Sequence, residues 1–303
     1  SRCRCGPVEF PVLPTFAITL KGFLFMAIKL VYQPPKWEKE QKKELQLFRQ
    51  SKGQDITLIN LQRILKEEEE FPAMRNYQEL YTNLQLKYRI LAGSSYLRDS
   101  LDAHVVYYTY LSGMASVCAY LFNHTAPPEK RNDTDQKNIG YDFSYGLFQL
   151  FAVQSYLPPC LSFFEHPYVQ LLLGNFEQAV ELLSSTLPTF DATRPYAVLM
   201  NDAQRLTVQA MAEKNEKLLT DQLVQQVKAY RKQPVGYSTF VDAYSIAYIK
   251  LARMNNMSCN LDIIEIPEMF FDDTICKIDT SEIKLPFFDD ALEQLKKLGF
   301  VWT

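Results

Sequence analysis

Few residues in this chain are of a type and spacing that could do chemistry. Asp272-Asp273 and the amide–carboxylate pair Asn201-Asp202 could contribute to a Mg²⁺ site, because that ion takes hard oxygen ligands. The three histidines, His104, His124 and His166, stand alone, with no acid or nucleophile at a fixed spacing, and read as structural. Six cysteines are scattered along the chain. Cys3 and Cys5 form a C-x-C that lacks a second pair or a nearby histidine, so it does not make a zinc site. Cys118, Cys160, Cys259 and Cys276 sit singly in apolar context, as buried thiols do, and so sparse a set suits a reducing compartment rather than a disulfide framework. No H-E-x-x-H, G-x-S-x-G, phosphate-binding glycine loop or C-x-x-C occurs. No catalytic, cofactor-binding or metal-ligating residue is therefore assigned, no cofactor is expected, and the chain reads as a non-enzyme.

The acidic pairs loosely resemble those of class I terpene synthases, helical enzymes whose carboxylates hold Mg²⁺ on a diphosphate. That resemblance fails residue by residue. A third acid is needed near position 276, where Cys276 stands, and a hydroxyl and an acid are needed at 205 and 209, where Arg205 and Gln209 stand. The two motifs also run in the reverse order. Asp272-Asp273 then reads as a turn and Asn201-Asp202 as a helix surface.

The elements that must position any site are helical. In 303 residues there are only 10 glycines, too few for a hairpin-dense β-protein. At 47% hydrophobic the chain can bury a substantial core, and its net charge of −3 supplies no basic face for a nucleic-acid backbone. Residues 11–32 are the most apolar stretch, but Lys21 and Lys29 interrupt them and no stable membrane insertion is expected. Met26 opens a stretch of ordinary globular sequence. Residues 1–35 therefore read as an N-terminal extension, 1–25 as upstream translation or an unstructured extension, and 36–303 as a single all-α domain.

Along that domain, Trp37–Gln50 is charged and helical in character, and Asp55 looks like the N-cap of a helix ending in Glu67–Glu70. That acidic run is either a solvated helix end or a surface for a basic partner. Segments 74–96 and 101–122 suit a pair of buried helices, with Gly93, Ser94 and Ser95 marking the turn between them. Gly113, Ala115, Ser116 and Ala119 should let neighbours approach the second of these closely. Residues 123–140, polar and holding Pro127-Pro128, read as a loop. An apolar helix follows over 141–157, a short one starts at Pro167, and four stripes at helical spacing run from Phe176 to Met254. LDIIEIP is extended in character and LPFFDDALEQLKKLGF closes the chain as an amphipathic helix. The expected fold is an antiparallel helical bundle of layered hairpins, with a short irregular or extended segment near the C-terminus.

Two resemblances bear on function. LLLGNFEQAVELLSS resembles one helix pair of a tetratricopeptide repeat, with Gly174 at the turn and Ala179 at the close-packed position, but no second or third copy is found in the sequence. More of the chain, roughly residues 75–275, resembles the bacterial polymorphic-toxin immunity protein family numbered forty-nine, an all-α family. The resemblance lies in VVYYTYLSGMASVCAYLF, in YDFSYGLFQLFAVQSYLPPCLSFFEHPYVQLL, and most strongly in LMNDAQRLTVQAMAEKNEKLLTDQLVQQVKAYRK and the segment from STFVDAYSIAYIKLARMNN to EMFFDD. It implies a cytoplasmic, non-catalytic protein that binds one cognate secreted toxin. Were that toxin basic, Glu67, Glu68, Glu69, Glu70, Asp133, Asp135 and Asp142 would steer it. A helical scaffold for peptides or complexes is the alternative.

Overall fold

Long proline-free runs of Leu, Ala and Tyr leave the chain one economical way to satisfy its backbone, and it takes it. In a computed structural model describing residues 53–98, 102–125, 133–162, 165–186, 195–230, 241–259, 261, 266–271, 278–298 and 300, the architecture is all-α. Ten α-helices run in order: α1 (Gly53–Glu70), α2 (Tyr77–Arg98), α3 (Asp102–Thr125), α4 (Asp133–Gln154), α5 (Pro167–Leu172), α6 (Phe176–Thr186), α7 (Pro195–Ala212), α8 (Glu216–Tyr230), α9 (Ala243–Met254) and α10 (Phe288–Lys297). The segment after Asn256 holds no strand among the described residues. It is the expected irregular arm, shaped by short 3-10 turns at Glu268–Phe270 and Thr280–Glu282.

Sequential neighbours pack against one another, α2 on α3, α3 on α4, α5 on α6 and α7 on α8, while α9 returns to lie on α4. The sheath of the core is set by α3, apolar nearly all round. It is long and apolar enough to cross a membrane, yet most of it is buried inside the fold. Where α3 crosses α4, glycine is required on both sides. A Cβ on Gly146 would run into Cβ of Ser116, and one on Gly113 would lie 3.0 Å from the Gly146 carbonyl oxygen. The expectation of close approach at Gly113 and Ser116 is met. Packing there admits no extra methyl group.

Three local expectations change. Gly93, Ser94 and Ser95 lie inside α2, which runs on to Arg98. Ser94 is buried and its hydroxyl donates to the Leu91 carbonyl (3.1 Å), so it is satisfied within the helix and needs no turn. Asp55 lies in the first turn of α1 rather than before it. The polar segment 123–140 is not a loop throughout, since α3 carries on to Thr125 and α4 begins at Asp133. An acidic residue at 133 suits a helix start, so the polar residues from 133 on belong to a helix and not to a loop. The expectations for residues 1–52, for the extended character of 262–265 within LDIIEIP, and for Asp272, Asp273 and Cys276, lie outside the described residues.

Candidate functional site

The acidic run occupies the last turn of α1, which has an acidic residue in its first turn and no basic residue in its last. Helix electrostatics penalise that placement. The final carbonyls already carry partial negative charge, and each carboxylate added beside them costs about 0.3–1 kcal/mol when exposed. Neighbours relieve part of it. Glu67 faces Arg63 at 3.9 Å and Glu70 faces Lys66 at 3.6 Å, both pairs well exposed and worth little each. Glu68 turns inward to the Arg75 guanidinium at 3.4 Å. Glu69 is exposed, with no ion pair among the described residues. Of the four carboxylates, Glu67, Glu69 and Glu70 face solvent and Glu68 is structural.

Arg75 is the anchor behind this turn. Its side chain is only 7% exposed and its guanidinium donates to the Glu68 carbonyl oxygen (2.7 Å) and to Asp290 on α10 (3.4 Å), while lying 3.8 Å over the Phe287 ring. Beside it the Tyr81 hydroxyl donates to the Pro286 carbonyl oxygen (3.2 Å). One cation thus ties the end of α1 and the start of α2 to the last helix of the chain. Beyond Glu70 the chain exposes Phe71 and Met74, 54% and 74% accessible, so large apolar groups stand next to the carboxylates.

The other acidic candidates do not join this turn. Asp133 and Asp135 fall in the first turn of α4, and their side chains lie outside the described ones. Asp142 is partly buried in a polar seam between α2, α3 and α4. Burial pushes its carboxyl above the usual range, while Arg89 and a hydrogen bond with Gln85 pull it back. Gln85 also accepts from Ser116 (3.1 Å), and Ser112 donates to Gln149 (3.1 Å). The Arg89 guanidinium sits 4.0 Å over Tyr145, whose hydroxyl donates to the Val241 carbonyl oxygen (2.8 Å). Asp142 therefore holds helices together rather than presenting charge to solvent. Sequence reading missed the seam because Gln85, Ser112 and Gln149 carry no motif. Their one signal is a polar residue on an otherwise apolar stripe.

Among the described residues no three His, Cys, Asp or Glu side chains converge as a metal site requires. The histidines serve packing. His124 stacks on Tyr120, and His166 packs edge-on against Phe143, where burial pushes its imidazole down to about 4. Cys118, Cys160 and Cys259 are buried, and burial pushes the Cys160 thiol up to about 11. Asp202 and Arg205 lie on the exposed face of α7.

Three helices end in like turns, of which only the one at Gly174 was legible in the sequence. α5 ends at Gly174 (φ 85°), where the Asn175 amide donates back to the Gln170 carbonyl (2.9 Å). α7 ends the same way at Lys214 (φ 52°), with Asn215 donating to Ala210 (2.9 Å), and α9 at Asn256 (φ 57°), with Met257 donating to Ala252 (2.9 Å). Each is a left-handed C-terminal cap with a six-to-one hydrogen bond. Compared with known proteins, the chain matches no family model, no curated protein and no solved structure.

Proposed function

We propose that this chain is a non-catalytic immunity protein that binds one cognate secreted toxin in the cytoplasm and blocks it. The observation that carries the reading is the acidic end of α1. Three exposed carboxylates sit where the helix dipole opposes them, beside exposed Phe71 and Met74. A placement that costs the helix stability has a rationale if the charge faces a partner. Apolar anchors next to a charged margin match the anatomy of protein interfaces, which bury about 1,200–2,000 Å² in total. The carboxylates would speed encounter with a basic toxin surface and the apolar groups would hold it.

The test is affinity purification of the tagged chain from its own cells, with the prey identified by mass. One stoichiometric partner, encoded next door and toxic alone, is the expected result. Reversing Glu67, Glu69 and Glu70 to lysine should then slow association at low salt by about tenfold or more, with the difference shrinking as salt rises. Many unrelated prey, or an unchanged association rate, would overturn the reading.

A specific observation favours a scaffold as the second reading. The capped turns at Gly174, Lys214 and Asn256 recur about every 40 residues and end three helices in the same way. Stacked helical hairpins of this kind build extended binding surfaces. Capture of several peptides sharing a short motif would select this alternative.

A further inference from the structure

The helices α5, α7 and α8 enclose polar side chains that play no part at the acidic end of α1. Gln204 on α7 is 4% exposed and Gln226 on α8 is 0% exposed, and each amide is only half bonded within the protein. The Tyr168 hydroxyl of α5 donates to Gln204 Oε1 (2.7 Å), which leaves the Gln204 Nε2 donor without a protein partner. Gln226 Nε2 donates to Thr207 Oγ1 (2.6 Å), which leaves the Gln226 Oε1 acceptor without one. Turning the Gln226 amide over brings no relief. Thr207 gives its own proton to the Ala203 carbonyl (2.7 Å), so towards Gln226 its oxygen can only accept and must meet the nitrogen end. The two unmet atoms belong to one neighbourhood. Gln204 and Thr207 stand three apart on α7 and share a face, and Thr207 is the residue that Gln226 touches.

We propose that Gln204 Nε2 and Gln226 Oε1 form a binding site for one enclosed water molecule, which bridges them. A buried donor beside a buried acceptor is the complement of water, which accepts on one side and donates on the other. A cation would be repelled by Gln204 Nε2 and an anion by Gln226 Oε1, while an apolar group would leave both unmet. The magnitudes favour the bridge. Each orphaned amide atom costs the folding equilibrium about 5- to 150-fold, and there are two of them. Immobilising one water costs at most about 30-fold. With the water in place, one string of hydrogen bonds runs from Tyr168 through Gln204, the water, Gln226 and Thr207 to the Ala203 carbonyl, and so joins α5, α7 and α8. A stack shifted by one residue cannot complete that string. The water therefore fixes the register of the helical hairpins, which apolar packing alone leaves looser. The site lies apart from α1 and stands whatever the protein binds there.

A crystal structure of the full chain at a resolution that shows ordered solvent tests this directly. The expected result is one water within about 2.7–3.2 Å of both Gln204 Nε2 and Gln226 Oε1. Direct contact between the two amides, a separate water on each, or no water on either overturns the proposal. A double-mutant cycle in urea gives a second measurement in solution. Gln204→Met and Gln226→Met each remove one end of the bridge, so the pair together should lower the folding equilibrium constant by about fivefold less than the product of the single losses. Tyr168→Phe is the control, since it removes the bond to Gln204 Oε1 and leaves the water, and it should combine with Gln226→Met without coupling. Strict additivity of the two glutamine substitutions overturns the proposal. Equal coupling in the control pair also overturns it, because that pattern marks general loosening of the stack.

Discussion

Single residues decide how tightly this helical stack closes. Gly146→Ala adds one methyl group against Ser116, in a seam where neither backbone can retreat. A loss of about 1–3 kcal/mol is expected in urea denaturation, less whatever the helix regains by exchanging glycine for alanine. Arg75→Met keeps the apolar stem but removes the bonds to Glu68 and Asp290 and the cation over Phe287. A cost of about 1.5–3 kcal/mol follows from charged hydrogen bonds of this kind, with α10 the first element released to limited proteolysis. His166 gives a pH dependence of definite sign. Its folded value of about 4 lies below the unfolded 6.5, so the unfolded chain binds more protons between those limits. Its contribution is therefore full above pH 6.5 and is lost as pH falls toward 4. Asp142, with its carboxyl raised, acts oppositely. The difference between the native chain and His166→Asn in thermal melts from pH 7 to pH 4 isolates the histidine. It should narrow by on the order of 2 kcal/mol, a figure discounted for the partial exposure of the ring.

At the scale of elements, the three capped turns show what could be read in the sequence and what could not. Gly174 announced its turn because glycine tolerates positive φ, and a repeat-like pair was seen around it. Lys214 and Asn256 adopt the same conformation without announcing it, since neither residue type is diagnostic, and so the recurrence is carried by the backbone and not by the residue types. The amphipathic stripes of α6 to α10 were legible because burial on one side leaves a 3.6-residue period. Helix ends on polar ground were not, because polarity marks exposure whether the backbone is coiled or helical. Glu67–Glu70 were legible as a charged run. That Glu68 turns inward to Arg75 depends on a contact formed only on folding. The turns also separate two roles of glycine. Gly174→Ala meets no atom within 4 Å and should cost about 1 kcal/mol through conformation alone, whereas Lys214→Gly should gain a comparable amount. Equilibrium unfolding of the two variants side by side is the check.

For the whole molecule, burial governs reactivity. Cys118, Cys160 and Cys259 are enclosed and their thiols are held protonated, so a thiol reagent at neutral pH should leave all three unmodified in the native chain. In denaturant they should react within the mixing time, as peptide mapping would read. The clasp around Arg75 joins residues 215 positions apart in sequence. A ribosome adding roughly 5–20 residues per second makes Arg75 some tens of seconds before Asp290, and domains begin to fold as they emerge. During that interval the seat for Phe287 stands open on an otherwise assembled hairpin. Until α10 emerges Arg75 has Glu68 but neither Asp290 nor the Phe287 ring, so this clasp is one the chain can close only as its synthesis ends.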